Sequence, residues 1–300
     1  MPCYNRADTI GRSIDSVLAQ SFINWELVII NDGSTDHSQS IISRYPDPRI
    51  HYHSQVNKGV CAARNAGLEL AKGELIAFLD ADDTWDPQCL AKLHHALSSS
   101  STGLVYCGWQ NIGLPGGQGA PFVPPDYETP DKNTMLFESC RWPIHACLTY
   151  KTVIIEAGMF NETLQTAEDY LLWLNVAMQH SLTCVPEVLA YYHFHNGNQA
   201  TSDSAKTAIN HYRAQQLFLA QQPKFVELLG KSTLKQLMFG ALLERGFECY
   251  WNRDLQSSRL IFKLIMTHGY GSIKDWLYML PSLLPYWLHL KLLTVRDQRP

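Results

Sequence analysis

Leu75-Ile76-Ala77-Phe78-Leu79-Asp80-Ala81-Asp82-Asp83 is an apolar run that stops abruptly in a cluster of carboxylates. A short continuous apolar run with such an ending reads as a buried strand of a parallel sheet. The acids then emerge at its carboxyl end, where open α/β sheets receive their ligands. Asp80 and Asp82, one residue apart, can face the same cleft there. Mg²⁺ and Mn²⁺ take oxygen ligands and share few protein carboxylates with substrate phosphates, so such a pair suits either ion. An isolated Asp-x-Asp is more often a solvated turn capping the next helix. The strand before this one shifts the balance towards a ligand site.

Upstream, Trp25-Glu26-Leu27-Val28-Ile29-Ile30 is a second buried strand, ending at Asn31-Asp32-Gly33-Ser34. Helices are expected over residues 9–20, from 36, from Asn57-Lys58-Gly59 to about 71, and after Asp86-Pro87. A short strand falls at 49–53. Downstream, strands are expected at 104–112, 144–151 and 182–195, with a helix at 168–179. The Gly- and Pro-rich stretch 113–131 reads as a loop over an acceptor site. From about 203 the pattern is helical, with a hairpin formed by 244–250 and 254–266. The expected class is α/β: a mostly parallel sheet flanked by helices over residues 1–200, followed by an α-helical region over 201–300.

A net charge of −4 speaks against a nucleic-acid partner, which needs clustered Lys and Arg to neutralise phosphates. The eight cysteines show no zinc or redox spacing and are read as reduced, structural and cytosolic. Met1-Pro2-Cys3-Tyr4-Asn5-Arg6 carries no apolar signal region, so a cytoplasmic location is expected.

Five motifs, Pro2-Cys3-Tyr4-Asn5, Asn31-Asp32-Gly33-Ser34, Ala63-Arg64-Asn65-Ala66-Gly67, Leu79-Asp80-Ala81-Asp82-Asp83 and Glu168-Asp169, occur in an order and spacing that resembles the family 2 glycosyltransferases, over roughly residues 2–200. The resemblance implies the Rossmann-like GT-A fold. It also implies a metal-dependent inverting transfer from a nucleoside-diphosphate sugar, UDP foremost, to a hydroxyl of a saccharide or lipid-linked acceptor, in the synthesis of cell-surface polysaccharide.

At matched positions the resemblance implies roles. Pro2 and Tyr4 would line the base pocket, Tyr4 by stacking, a contact worth ~1–3 kcal/mol. Asp32 would accept a hydrogen bond from the base, Arg64 would approach base and phosphates, and Asp80 would contact the ribose. Asp82 would hold the metal, with Asp83 as a supporting or capping residue. Asp169 would be the general base, which an acceptor hydroxyl needs in order to attack; by chemistry alone, Glu168-Asp169 is equally a carboxylate pair favoured by a helix N-terminus. Where relatives read Tyr-Arg-x-His, this chain has Tyr192-His193-Phe194-His195. His195 matches as a ligand of the metal or diphosphate, whereas His193 departs from the pattern.

The resemblance also places a first strand directly ahead of Pro2. That strand is central in a doubly wound sheet, and without it two neighbours would show unpaired edges. The natural start is therefore expected upstream, or the chain to be a shortened product of lower stability.

Rival functions are weaker. No strand leads into the G-x-G-x-x-G turn of a dehydrogenase, and no basic Gly-rich loop near the N-terminus would receive the triphosphate of a nucleotidyltransferase. An inactive nucleotide-sugar binder of the same fold is the remaining alternative. Near the C-terminus, Trp276, Tyr278, Tyr286 and Trp287 alternate with Leu between Lys274, Lys291 and Arg296. This segment fits either a core helix broken by Pro281 and Pro285 or a peripheral contact with a membrane interface.

Overall fold

The computed structural model describes residues 1–114, 117–140, 142–194, 199 and 202–297. The chain divides into two compact units, Met1–Gln199 and Ala200–Pro300.

The first unit opens with β1 (Pro2–Cys3), α1 (Ile10–Leu18), β2 (Leu27–Asp32), α2 (Ser38–Ile42), β3 (Ile50–Gln55) and α3 (Val60–Leu70). Ile10, Ile14 and Val17 recur at helical spacing and are buried, which fixes the inner face of α1. In β2, Leu27, Ile29 and Ile30 are buried, as the unbroken apolar pattern requires. β1, β2 and β3 form a parallel sheet in that order.

Next come β4 (Leu75–Ile76), β5 (Thr84–Trp85), α4 (Cys89–Ser98), β6 (Leu104–Ile112), α5 (Lys132–Glu138), β7 (Cys147–Tyr150), α6 (Lys151–Glu156), α7 (Glu168–Gln179) and β8 (Leu182–His193). Their sheet runs β4-β7-β6-β8-β5; β6 and β8 are parallel and the other pairs antiparallel. A parallel sheet and a mixed sheet thus share the unit. β6 and α7 have the bounds their patterns predict. By contrast, the strand expected over 74–79 is a ladder only at Leu75–Ile76. Ala77, Phe78 and Leu79 continue into the acidic turn with the last two buried. The short helices α5 and α6 were not anticipated, being too brief to show a helical period.

Pro2 pairs with Ile30 and Cys3 with Asn31, and the Met1 amino group donates to the Val28 carbonyl at 2.8 Å. Earlier along β2, Leu27 and Val28 pair among the described residues only with β3, and β4 pairs only with β7. Between these two edges lies a cavity of about 620 Å³.

The second unit is helical: α8 (Ser204–Gln221), α9 (Pro223–Trp251), α10 (Leu255–Thr267), α11 (Ile273–Met279), a 3₁₀ turn (Leu280–Leu283) and α12 (Tyr286–Asp297). Asp203 caps α8, Asp254 caps α10, and Ser272 with Asp275 forms a capping box on α11. Gly246 lets α9 approach α10, since a Cβ there would meet the Phe262 ring at 2.7 Å. No described helix is long and apolar enough to cross a membrane.

Candidate active site

Of the predicted residues, Arg64 stands with Asp80 and with the Glu168-Asp169 pair. From the first turns of α3 its guanidinium donates to Asp80 Oδ1 at 2.7 Å and to Glu168 Oε1 at 2.5 Å. The arginine side chain is 4% exposed, against 27% for Asp80 and 10% for Glu168. Burial works against the Arg64 charge, but Asp80 and Glu168 more than offset it. Asp80 is held likewise: burial would push its pKa up, and Arg64 brings it below the ordinary carboxylate value. One cation thus joins the end of the β4 run to the start of α7.

That connection places Asp169, the next residue of α7. It is half-buried, and its Oδ1 accepts from the Tyr170 amide. Burial, then the neighbouring Glu168 charge, pushes its pKa up to about 7, against the pull of Arg64. Before it, Ala167 adopts a left-handed conformation, φ 62°, which costs a non-glycine residue about 1 kcal/mol. Its neighbours Thr166 and Glu168 are both buried. Asn65 pins the loop ahead of α7, donating to the Phe160 carbonyl and accepting from its amide, each at 3.0 Å.

Asp82 faces the N-terminal loop. Its Oδ2 stands 3.1 Å from Arg6 Nε, its backbone carbonyl accepts from Arg12, and Thr9 donates to the Ala81 carbonyl. Asp83 turns inward instead, 1% exposed, and accepts from the His193 amide at 2.9 Å. His145 Nδ1 lies 3.1 Å from its other oxygen. Burial raises the Asp83 pKa well above normal and lowers that of His145 to about 4, so the pair is favoured in its neutral form. Asp83 therefore acts as a supporting residue, bracing the turn from below. His193 Nε2 is 2.8 Å from Thr84 Oγ1. His195 lies outside the described residues.

Asp32 is buried at the end of β2 and works as a bracket. It accepts from Gln55 at 2.7 Å, from the Lys58 amide at 2.9 Å and from the Gly59 amide at 2.8 Å, tying β2 to the start of α3. A carboxylate has about four acceptor positions, so one more donor can be received. Gly33 beside it has φ 75°, and a Cβ there would sit 2.9 Å from the Asn57 nitrogen. Tyr4 is 47% exposed, open for a planar ligand, and Pro2 precedes it in β1.

Sequence reasoning missed four residues of this arrangement. Glu168 and Asn65 stand inside quoted motifs, so motif membership was their signal. Arg6 follows the first motif directly. His145 had no signal, because a lone histidine in an apolar strand resembles any core residue.

A divalent cation has a fitting donor set, the hard oxygens of Asp80 and Asp82 at the strand end, but only if a ligand supplies the rest. Among the described residues no group of three His, Cys, Asp or Glu could hold a metal by itself.

The sheet order and the acids at the strand end fit a GT-A type of fold. Residues 1–156 match the model of glycosyl transferase family 2, and the chain belongs to that family. It is 32% identical to the Escherichia coli UDP-Glc:alpha-D-GlcNAc-diphosphoundecaprenol beta-1,3-glucosyltransferase WfgD, covering 62% of this chain and 71% of that one. It is also 32% identical to the putative teichuronic acid biosynthesis glycosyltransferase TuaG of Bacillus subtilis, covering 69% and 82%. Among solved structures, S. aureus TarS 1-349 in complex with UDP-GlcNAc matches with TM-score 0.59 at 17% identity, over 88% of this chain and 82% of TarS 1-349. The mannosyltransferase PcManGT from Pyrobaculum calidifontis, in complex with GDP-Man and Mn²⁺, matches with TM-score 0.59 at 17% identity, over 99% and 86%. The chain is a glycosyltransferase.

Proposed function

We propose that this enzyme transfers a sugar from a UDP-linked donor to a hydroxyl of a saccharide or lipid-linked acceptor, with inversion and with a divalent cation. The observation that carries the proposal is the Asp80–Arg64–Glu168 bridge, which sets Asp169 beside the strand-end acids. Asp169, with its pKa near 7, can take the acceptor proton as the hydroxyl oxygen attacks the anomeric carbon from the face opposite the diphosphate. A base poised near neutral pH combines the deprotonated state with real proton affinity.

Tyr4 stacks on the base, Asp32 offers its remaining acceptor position to the base edge, and Asp80 receives the ribose. Asp82, with Asp80, would hold Mg²⁺ or Mn²⁺. Bound there, the ion supplies positive charge against the departing diphosphate. His195 is proposed as an additional ligand. The uridine assignment draws on the donor named for WfgD and on the UDP-GlcNAc of the TarS complex, and Mn²⁺ on the PcManGT complex.

For the helical unit we propose a peripheral contact with the cytoplasmic membrane face. Ile273, Leu277, Leu283 and Trp287 of α11, the 3₁₀ turn and α12 are 84%, 66%, 58% and 67% exposed, an accumulation of large apolar side chains at the surface.

The deciding assay is donor hydrolysis with Mn²⁺ over a panel of nucleotide sugars. Release of UDP from one donor, lost with EDTA, is expected. Tight nucleotide binding with no release from any donor would make the chain an inactive binder.

A further inference from the structure

Asp80 and Asp82, at the end of the β4 run, are each paired with an arginine, and the two pairs differ in kind. Asp80 is held by Arg64, whose side chain is 4% exposed and is fixed on its other side by Glu168. Asp82 is met by Arg6, whose Nε stands 3.1 Å from Oδ2, with side chains 29% and 16% exposed. Arg6 Nη1 lies 3.4 Å from the Asn5 carbonyl, a weak contact. A solvent-screened pair of this sort is worth little and opens readily.

The Arg6 backbone, in contrast, is pinned. Its amide donates to Ser38 Oγ at 2.8 Å, and its carbonyl accepts from the Thr9 and Ile10 amides at 3.1 and 2.9 Å. On either side, the Asn5 amide donates to Ser34 Oγ at 3.0 Å and the Ala7 amide to Asp36 Oδ2 at 2.9 Å. Freedom at this position therefore belongs to the side chain. Arg12 Nη2 donates to the Asp82 carbonyl at 2.8 Å, so the acidic turn keeps an anchor when Arg6 swings away.

A guanidinium on Asp82 and a divalent cation shared by Asp80 and Asp82 compete for one carboxylate, because the two positive charges repel. The geometry points to Arg6 as an exchangeable counter-ion. It neutralises Asp82 in the ligand-free chain; on donor binding it leaves that oxygen and turns its planar fork to the diphosphate. Arg6 is joined to both ends of the proposed donor path, two residues from Tyr4 in the chain and in contact with Asp82. A guanidinium also matches phosphate oxygens in pairs. This inference rests on the proposed placing of the cation at Asp82, and adds a diphosphate-binding residue to that site. Its consequence is linkage: metal alone is held weakly, while metal and diphosphate favour each other.

The test is a calorimetric titration of the full chain with Mn²⁺ alone, then with UDP at saturating Mn²⁺, GDP taking its place if the parent binds no UDP. Arg6→Gln should bind Mn²⁺ alone about two- to fivefold more tightly, since a competing cation is gone. The same variant should bind the nucleotide about tenfold more weakly, having lost the fork. Arg6→Lys, which keeps the charge, should bind Mn²⁺ as the parent does and recover only part of the nucleotide affinity. Melting temperatures should barely move, because the backbone bonds of the loop are untouched. Anything short of opposite shifts in the two affinities of Arg6→Gln overturns the exchange. Asp82→Asn is run beside it and should lose Mn²⁺ binding. If it binds Mn²⁺ like the parent, the cation site itself is wrong and the exchange falls with it. Loss at Asp82 without opposite shifts at Arg6 rejects the exchange alone.

Discussion

Arg64 Nη2 and Asp80 Oδ1 are held 2.7 Å apart with the arginine almost wholly withdrawn from solvent. The same guanidinium reaches Glu168, 104 positions along the chain, so the end of the β4 run and the start of α7 are fixed by one side chain of α3. Arg suits this place because its planar fork offers donors in two directions at once, which an ammonium group does not.

Removing that cation leaves two carboxylates without it in a poorly solvated place. Arg64→Met should therefore cost about 3 kcal/mol, below the upper range for fully buried pairs because Asp80 retains 27% exposure. Urea unfolding measures the loss. Arg64→Lys keeps the charge but not the fork and should fall between. A melting curve for Arg64→Met that matches the parent would mean the bridge contributes nothing.

The raised pKa of Asp169 gives a pH dependence with a definite sign. Its value, about 7 in the folded chain, lies above the ordinary 3.8, so the native state binds more proton between these values than the unfolded state does. Stability from this group is thus present at low pH and declines as pH rises from about 4 to 7. Asp169→Asn should flatten that decline and raise the melting temperature at pH 8. Turnover should respond in the opposite sense, rising through pH 7 as the base loses its proton, and the Asn variant should lose roughly 10²–10⁴-fold while still binding nucleotide. Full turnover in the variant would remove Asp169 from the reaction.

Much of this was legible beforehand because local chemistry and long-range packing agree. β6 and α7 take their predicted bounds, since each combines strong periodicity with clear ends. The bracket made by Asp32 was not legible as such: sequence shows an acid after a strand, but not that it holds the entry to α3 from 26 positions away. The mixed pairing of the second sheet was hidden for the same reason, because strand direction is set by which edges meet. His145 shows the limit most clearly, as its meaning depends entirely on Asp83 lying 3.1 Å away.

Asp82 separates function from stability. Its pair with Arg6 joins side chains 29% and 16% exposed, so Asp82→Asn should cost less than about 1 kcal/mol. If it holds the cation, Mn²⁺-dependent donor hydrolysis should nevertheless fall by roughly 100-fold or more. Titrating Mn²⁺ against hydrolysis in parent and variant reads both the loss and any shift in the metal requirement. Unchanged metal dependence with unchanged rate would place the ion elsewhere.

The exposed apolar side chains of the helical unit make the last prediction quantitative. Leu283 and Trp287, 58% and 67% exposed, flank the Pro285 break, and burying either in a membrane interface would release up to ~1.5–3 kcal/mol. Lys291 on α12 stands near enough in sequence to meet anionic headgroups. The Leu283→Ser, Trp287→Ser double variant should therefore partition into phosphatidylglycerol vesicles at least about tenfold less than the parent in co-sedimentation. Because both side chains are already in water, its melting temperature should barely change, which distinguishes lost membrane contact from lost core. Equal sedimentation of parent and variant would assign this surface to something other than lipid.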